Sequence, residues 1–415
     1  MKVKTELGKS RPGRRLVLLT GAASVAASWQ PAFAQPRRAA QAHHTPKNAD
    51  PLPTGTPAQT PVGPMDLESR WAVAIDFTTG TVLLDKDADK SIPPSSMTKL
   101  MTAYLVYDRL NQGSLKLTDE LPVSERAWRM GGSKMFVQIG TSVKVEDLIR
   151  GMIVDSGNDA CLVLAEGIAG SEEGFVDLMN KKAVQLGLTA SNFRNSTGWP
   201  DPDHRMSVHD IATLARRIIK DFPEYYHYDS EKSFKYNGID QENRNPLVQK
   251  GTGDGLKTGH TEDGGYGLAA SSLRGGRRVI VVLNGMSSMR QRREEGERVM
   301  DWAFREFENV TLFSASDVVE TVPVWLGTSK TVPVVIGRDL VVTMPRQWRN
   351  TAKVSIQFDS PIRAPIARGD TLGRLVVSGQ KVPSMEVPLL AGIDVAKLSL
   401  PGRTMAVISH YVTGS

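Results

Sequence analysis

The chain has 415 residues, of which 40% are hydrophobic, and its formal net charge is +6 with a pI near 9.2. This length accommodates two or three domains, and this composition is that of a globular protein. The basic balance would suit a polyanionic partner, but the sequence has no basic run interleaved with aromatic residues and no nucleic-acid-binding motif. We therefore expect no nucleic acid as a partner.

Residues 1–34 have the composition of a secretion signal peptide. A charged start precedes the apolar run Leu16–Ala27, which is short for a membrane span, and Ala32–Ala34 fits a small-residue cleavage site. We expect a periplasmic protein whose mature chain begins at Gln35. The pair Arg14-Arg15 leaves both the twin-arginine and the general secretory route open.

Residues 35–66 are rich in Pro, Ala, Thr, Gln and Gly and lack periodic apolar residues, so we predict a disordered tether. The single cysteine of the chain, Cys161, excludes an internal disulfide bond. It lies in an apolar helical run, which favours a buried structural thiol over a nucleophile.

Strand patterns at both ends of residues 67–312, with helical patterns between them, predict an α+β domain with a sheet that joins its termini. The pattern opens on a hairpin, Trp71–Ile75 and Thr81–Leu84, turned by Thr78-Thr79-Gly80. Helices are predicted over 95–107, 145–154, 160–168, 175–186, 208–222 and 299–307, and strands over 255–260, 266–272 and 279–283.

Residues 313–415 change to short strands separated by Pro, Gly and Asp, which predicts a small all-β domain of the β-sandwich kind. This domain contains no reactive cluster, so a spacer or docking role is the default expectation. The tail from Pro401 to Ser415 is predicted as a final strand or loose end rather than a helix lying on a membrane.

The stretch from Ser96 to Lys99 places a hydroxyl and an amine three residues apart in the first turn of a predicted helix. A neutral lysine amine can take the proton of a serine hydroxyl and make it a nucleophile. The helix N-terminus also directs N–H groups at a developing oxyanion. Alone, this motif is weak, because about one or two matches arise by chance in a chain of this length.

Two further segments follow in order: Ser156-Gly157-Asn158 in a loop between helices and Lys257-Thr258-Gly259 on a predicted strand. The three motifs together resemble the active site of the penicillin-recognising serine acyl-transferases. The runs Ser156–Cys161 and Lys257–Thr261, with a β-rich domain after them, are similar to the low-molecular-mass D-alanyl-D-alanine carboxypeptidases. The resemblance covers about Leu67 to the end and implies the penicillin-binding, β-lactamase-like transpeptidase fold, an antiparallel sheet flanked by helices.

The chemistry of these side chains fits that resemblance. Ser96 would attack the carbonyl between two D-alanines, and Lys99 would accept its proton, which requires a pKa lowered by burial and by a second cation such as Lys257. Ser156 would relay a proton to the leaving amine. Asn158 would hold Lys99 and the substrate amide.

The strand motif is expected to bind substrate. Lys257 and Thr258 would meet the terminal carboxylate, and Gly259 would let the substrate backbone lie along the strand edge. By family analogy, the N–H groups of Ser96 and His260 would form the oxyanion hole.

Two arginines are further candidates for the substrate carboxylate. Arg244 and Arg292, the latter before the closing helix, occupy places where the resembled carboxypeptidases use arginine, whose forked donors suit a carboxylate. A surface cation is an equal alternative for Arg244, and the neighbouring Arg290 and Arg293 leave the register at Arg292 open. His204 and His209 are expected to be structural or surface residues.

The resemblance implies a peptidoglycan pentapeptide as substrate, covalent inhibition by β-lactam antibiotics, no cofactor and no metal. A loose membrane or wall association fits an exported enzyme that lacks an evident anchor. A DD-endopeptidase remains an alternative. A serine β-lactamase is another, although no Glu-x-x-Leu-Asn loop lies between Ser156 and Lys257. Intact motifs argue against a non-catalytic wall-binding protein, and the lack of a membrane anchor or polymerase domain argues against a transpeptidase.

Overall fold

The computed structural model of the protein describes residues 55–349, 353–379 and 382–413. The predicted signal peptide and residues 35–54 of the predicted tether lie outside them. The α-helices are α1 (Lys99–Asn111), α2 (Glu125–Arg129), α3 (Val145–Ile153), α4 (Asn158–Ala169), α5 (Glu172–Leu186), α6 (Val208–Asp221), α7 (Pro246–Lys250), α8 (Met289–Glu306) and α9 (Leu400–Thr413). Single 3-10 turns occupy Ser95–Thr98, Tyr226–Ser230 and Arg346–Trp348.

The strands follow the predicted order, with short additional ones between the helices. They are β1 (Trp71–Asp76), β2 (Val82–Lys86), β3 (Glu120–Pro122), β4 (Ser142–Lys144), β5 (Ser233–Tyr236), β6 (Ile239–Glu242), β7 (Gly255–Thr261), β8 (Gly265–Arg274), β9 (Arg277–Met286), β10 (Phe307–Phe313), β11 (Val318–Trp325), β12 (Thr331–Val335), β13 (Leu340–Pro345), β14 (Lys353–Gln357), β15 (Ile362–Arg363), β16 (Thr371–Gly379) and β17 (Val382–Ala391).

A five-stranded antiparallel sheet joins the two ends of the N-terminal domain, as the pattern predicts. Its order is β2-β1-β9-β8-β7, so the first hairpin pairs with a strand contributed more than 200 residues later. Within the described residues, β7 has a strand neighbour on one side only. The other edge of β7 therefore remains available to an added strand.

Both faces of this sheet are buried, and alternate residues of one strand enter different cores. Val73 and Ile75 of β1 pack into the cluster formed with α1, α4 and α6. Ala72 and Ala74 pack into a second cluster that includes Val299 and other residues of α8. Helices thus cover the sheet on both sides.

Capping explains where two helices begin. The hydroxyl of Ser207 accepts from the N–H of Asp210, which confirms the predicted start of α6. The closing helix, predicted over 299–307, begins ten residues earlier, because Ser288 caps it by accepting from the N–H of Gln291. Arg292 therefore lies inside α8 and not before it.

The described end of the predicted tether is folded, so that prediction is wrong for these residues. Ala58 bridges to Met65, and Gln59 bridges to Asp85 beside β2. Ala58 is fully buried in the cluster under α8. A bridge of two residues has too few apolar side chains to produce a periodic signal, so the sequence pattern does not reveal it.

The C-terminal region is an all-β domain, as predicted. Its main sheet has the order β14-β16-β17-β12-β11-β15, and β10 pairs with β13. Asn309 of β10 donates to Asp76 at the end of β1, which ties this domain to the N-terminal sheet.

The tail is helical, which corrects the predicted strand or loose end. Met405, Ile408 and Tyr411 recur every third residue, a helical spacing, but the run is too short to decide the type of structure from sequence. These side chains are largely exposed. Among the described residues, no helix has both the length and the apolar character needed to span a bilayer.

Candidate active site

Ser96 and Lys99 meet at the start of α1. Ser96 lies in the 3-10 turn, half-buried, and Lys99 is the first residue of α1 with only 1% of its side chain exposed. Lys99 Nζ lies 2.9 Å from Ser96 Oγ. The predicted pair of hydroxyl and amine therefore stands within proton-transfer distance.

Two further acceptors hold the amine of Lys99. Asn158 Oδ1 and the carbonyl oxygen of Thr197 each lie 2.7 Å from Nζ. A neutral amine has two N–H groups and one lone pair. With both N–H groups donated to these acceptors, the lone pair is left for the hydroxyl of Ser96.

Burial makes that neutral amine accessible near physiological pH. Desolvation, aided by the positive charge of Arg244, lowers the pKa of Lys99 to about 8, while Cys161 and Asp159 oppose the shift. The sequence suggested Lys257 as the second cation, and the two amines do repel each other, since Lys99 is among the causes that lower the pKa of Lys257. Arg244 is a further cation that acts on Lys99.

The second motif reaches the site from the loop before α4. Asn158 Nδ2 donates to the carbonyl of Gly131 at 2.8 Å, which fixes the amide oxygen toward Lys99. The neighbouring Asp159 accepts from the N–H groups of Met135, Phe136 and Val137 and so fastens this segment beside Asn158.

Ser156 occupies a strained position in the same loop. Its φ of 58° lies in the left-handed region, and the side chain is buried. Within the described residues its hydroxyl makes no hydrogen bond to Ser96 or to Lys99. Ser156 therefore lies two residues before Asn158 in the same segment, and its role as a proton relay stays a prediction.

The third motif lies on the edge strand β7, which packs against the turn that carries Ser96. Gly259 is needed there, because a Cβ at this position would lie 3.0 Å from the carbonyl oxygen of Pro94 and 3.4 Å from the N atom of Ser96. Lys257 and Thr258 are buried. Lys257 Nζ lies 3.4 Å from the carbonyl oxygen of Thr258.

Charge crowding accompanies the burial of Lys257. Desolvation lowers its pKa well below the ordinary value, and the positive charges of Lys99, Arg244 and Arg292 lower it further. An anion entering this cluster of cations would be strongly favoured. Three residues further along β7, His260 is exposed, and the centroid of its ring lies 4.0 Å from that of Tyr266.

The two arginines differ in their surroundings. Arg244 is exposed, and its guanidinium donates to Ser133 Oγ at 2.5 Å. Arg292 is buried, its Nη2 lies 3.4 Å from the carbonyl oxygen of Arg244, and its Nε has no partner within the described residues. Arg292 thus contacts the backbone of the segment that carries Arg244 and can hold it in place.

Comparison with known families decides the family to which this chain belongs. The model of the D-alanyl-D-alanine carboxypeptidase family, Peptidase S11, matches residues 56–287, and that of the C-terminal domain of penicillin-binding protein 5 matches residues 307–397. The chain belongs to the D-alanyl-D-alanine carboxypeptidase family. The resemblance drawn from the three motifs is confirmed.

Individual members of the family are similar over most of their length. D-alanyl-D-alanine carboxypeptidase DacC of Escherichia coli is 37% identical over 332 residues, which cover 78% of this chain and 83% of the relative. Penicillin-binding protein 5 of Haemophilus influenzae is 35% identical with a TM-score of 0.75, over 80% of this chain and 99% of that structure. Penicillin-binding protein D2 of Listeria monocytogenes, in its ampicillin-bound form, is 27% identical with a TM-score of 0.53, over 58% of this chain and 98% of that one.

The carboxypeptidase cleft includes residues that the sequence analysis missed. Its volume is about 480 Å³, and Ser96 and Asn158 line it together with Thr197, Trp199 and other residues of the 197–200 segment. A larger cavity, of about 640 Å³, lies between residues 66–68 and α8 and contains none of the motif residues.

The sequence feature that could have drawn attention to residues 197–200 is the turn that begins at Asn195. Asn195 Oδ1 accepts from the N–H groups of Thr197, Gly198 and Trp199, the behaviour expected of Asn before a Gly turn. The sequence marks a turn there, but not its position beside Lys99. Of the two histidines, His204 is buried with a pKa lowered by desolvation to about 4, and His209 pairs with Asp89 at the surface, so both have the structural roles predicted.

Proposed function

We propose that this carboxypeptidase removes the terminal D-alanine of peptidoglycan stem peptides through an acyl-enzyme on Ser96. One observation carries the proposal: Lys99 Nζ lies 2.9 Å from Ser96 Oγ, while two other acceptors take its N–H groups. A buried amine with a pKa of about 8 is a general base matched to neutral or mildly alkaline pH.

In the first step, the Oγ of Ser96 bonds to the carbonyl carbon between the two D-alanines, and its proton passes to Lys99 Nζ. The N–H groups of Ser96 and His260 bind the oxyanion. The C–N bond then breaks, and D-alanine leaves with a proton supplied by Lys99 through Ser156. Water attacks the carbonyl carbon of the remaining ester, and its proton goes to Lys99. The ester C–O bond then breaks, and Lys99 returns that proton to the Oγ of Ser96, which restores the free enzyme.

The cations beside β7 recognise the terminal carboxylate. Lys257 and Thr258 approach it from the strand, and Arg244, which is exposed, approaches from the opposite loop. Arg292 is buried below and positions Arg244. The substrate backbone pairs with the open edge of β7, where Gly259 leaves room for it.

The same site acylates with β-lactams. Their strained amide carries a carboxylate nearby and therefore presents the groups that Ser96 and the cations recognise. Penicillin-binding protein D2, which shares this fold, is known in an ampicillin-bound form. We expect a covalent adduct on Ser96 in this chain as well.

We propose further that the protein is exported by residues 1–34 and acts outside the cytoplasmic membrane, in loose contact with its surface. The helix α9 supports this contact, because Leu400, Met405, Ile408 and Tyr411 are all more than half exposed. Exposed apolar side chains on one terminal helix favour a membrane surface.

Labelling with fluorescent penicillin, followed by mass spectrometry of the peptides, tests the nucleophile. An adduct on the peptide that contains Ser96, absent in Ser96→Ala, supports the proposal, and an adduct elsewhere contradicts it. Release of D-alanine from a pentapeptide, with a cross-linked dimer left intact, separates the carboxypeptidase from a DD-endopeptidase. Hydrolysis of penicillin with rapid turnover would indicate a β-lactamase.

A further inference from the structure

Asp155, the residue immediately before Ser156, has a buried carboxylate that takes no part in the proposed chemistry. We infer that Asp155, when ionised, opposes binding of the substrate carboxylate, so that carboxylate binding is coupled to uptake of a proton by this side chain. The inference rests on the proposed function, because it takes Arg244 and Lys257 as the cations that receive the carboxylate. Asp155 acts through these cations and does not touch the substrate.

The side chain of Asp155 is buried without hydrogen bonds. Only 1% of it is exposed, and neither carboxyl oxygen has a hydrogen-bond partner within the described residues. The contrast with Asp159, four residues later, is direct, because Asp159 accepts from several backbone N–H groups. A buried carboxylate without donors is costly, so nearby charges decide whether Asp155 is ionised.

The charges that act on Asp155 are those of the carboxylate subsite. Arg244 and Lys257 favour its ionised form, while Asp159 and the exposed Asp240 disfavour it. Burial outweighs the cations and raises the pKa of Asp155 to about 7. In the reverse direction, Asp155 is the carboxylate that favours the charged form of Arg244.

A substrate carboxylate would be a second anion beside the same cations. Two carboxylates that share a site disfavour ionisation of one another, so a bound substrate should raise the pKa of Asp155. Near neutral pH, binding would then take up a proton. A rise of one pKa unit corresponds to an affinity about tenfold weaker where Asp155 is ionised in the unbound enzyme.

Other groups of the site also lose positive charge as the pH rises. The pKa values of Lys99, Lys257 and His260 are all lowered, in each case mainly by burial. Their deprotonation would weaken carboxylate binding in the same direction. Only a change at Asp155 itself separates its contribution from theirs.

The test measures binding without turnover. In the Ser96→Ala background, calorimetry gives the Kd of a pentapeptide ending in D-Ala-D-Ala at pH 6 and pH 8.5, with and without Asp155→Asn. We expect the two proteins to bind equally at pH 6 and the Asp155→Asn protein to bind several-fold more tightly at pH 8.5. The same peptide with a C-terminal amide should show no difference between them.

Proton counting gives an independent readout. Binding enthalpies at pH 7 in two buffers of different ionisation enthalpy should report proton uptake with Asp155 present and less uptake with Asn. Asp240→Asn removes an exposed charge that acts on the same carboxyl, and this control should retain the proton uptake. If Asp155→Asn leaves both the pH dependence of Kd and the proton count unchanged, the inference is wrong.

The outcome is separable from that of the proposed function. Failure to release D-alanine, with pH-linked carboxylate binding intact, would overturn the carboxypeptidase proposal and leave the role of Asp155 standing. Release of D-alanine with no proton uptake on binding would support the carboxypeptidase proposal and overturn the role of Asp155. If Asp155→Asn does not fold, the uncharged Asp155→Ala takes its place in both measurements. Equal pH dependence for the acid and the amide peptide in the Ser96→Ala protein would overturn the inference in either case.

Discussion

Lys99 donates to Asn158 Oδ1 at 2.7 Å, and the orientation of that amide is set from its other end by the carbonyl of Gly131. The contact places a neutral acceptor, and not a carboxylate, against the buried amine. A carboxylate there would stabilise the ammonium form. The amide therefore holds Lys99 in place without preventing it from acting as a base.

The pH dependence of acylation should follow the titration of Lys99. The neutral amine is the active form, so the second-order rate constant for benzylpenicillin should rise with pH and level off above the pKa of about 8. Stopped-flow measurements between pH 6 and 10 check this. A rate constant that is level from pH 6 upward would show that another group takes the proton of Ser96.

Asn158→Asp should move this profile to higher pH. The new carboxylate would lie at hydrogen-bond distance from Lys99 and raise its pKa, so acylation at pH 7.5 should slow by about 100-fold and recover in part at pH 10. Asn158→Ala is the matched control. It removes the acceptor without adding charge and should slow acylation without an upward shift of the profile.

Much of this architecture could be predicted from the sequence, because the main elements carry strong periodic signals. The apolar alternation in β8 and β9 and the Ser207 cap of α6 are local features that tertiary packing does not override. The three motifs were informative for another reason. Their order along the chain restricts the fold, and the fold then brings Ser96, Asn158 and Lys257 together.

The rest depended on contacts that no local pattern encodes. Thr197 serves the site through its backbone carbonyl, which every residue type possesses. The pairing of Ala58 with Met65 involves too few residues to be periodic. The influence of Arg244 on Lys99 arises because a loop and the start of a helix converge although they lie more than 140 residues apart in the chain.

Gly198→Ala should damage both stability and activity. Gly198 has φ +83°, and a Cβ there would overlap the carbonyl oxygen of Ser95, next to the nucleophile. Left-handed backbone alone costs a non-glycine residue about 1–2 kcal/mol, and the backbone overlap adds to this. We expect a loss of more than about 2 kcal/mol in unfolding free energy and a sharp fall in penicillin acylation.

Gly187→Ala is the control for that prediction. Gly187 has φ +74° at the end of α5, and a Cβ there would meet nothing within 4 Å. Gly187→Ala should lower the unfolding free energy only by the cost of the left-handed backbone, about 1–2 kcal/mol, and should keep full acylation activity. Equal losses in urea unfolding for the two variants would contradict the steric explanation for Gly198.

Asp229→Asn should stabilise the protein at alkaline pH. Burial and the charge of Asp254 raise the pKa of Asp229 to about 8, against about 3.9 for an unfolded chain. Between these values the unfolded state has released its proton and the native state has not, so stability falls as the pH rises. The Tm of Asp229→Asn relative to the parent should therefore be higher at pH 9 than at pH 5. The exposed Asp240→Asn should show no such trend, and an identical trend in both variants would contradict the role of burial.

Charge on the exposed face of α9 should abolish the proposed membrane contact. Met405 and Ile408 are 69% and 55% exposed and lie one turn apart, so both can enter a lipid surface together. A double substitution, Met405→Glu with Ile408→Glu, should reduce co-sedimentation with anionic phospholipid vesicles at least about tenfold, since burial of each such side chain contributes about 1.5–3 kcal/mol.

Release of D-alanine from a soluble pentapeptide by this double variant should not change. Val184→Glu, at an 82% exposed position on α5, is the matched control and should bind vesicles like the parent. Vesicle binding that survives the double substitution would place the contact elsewhere on the protein.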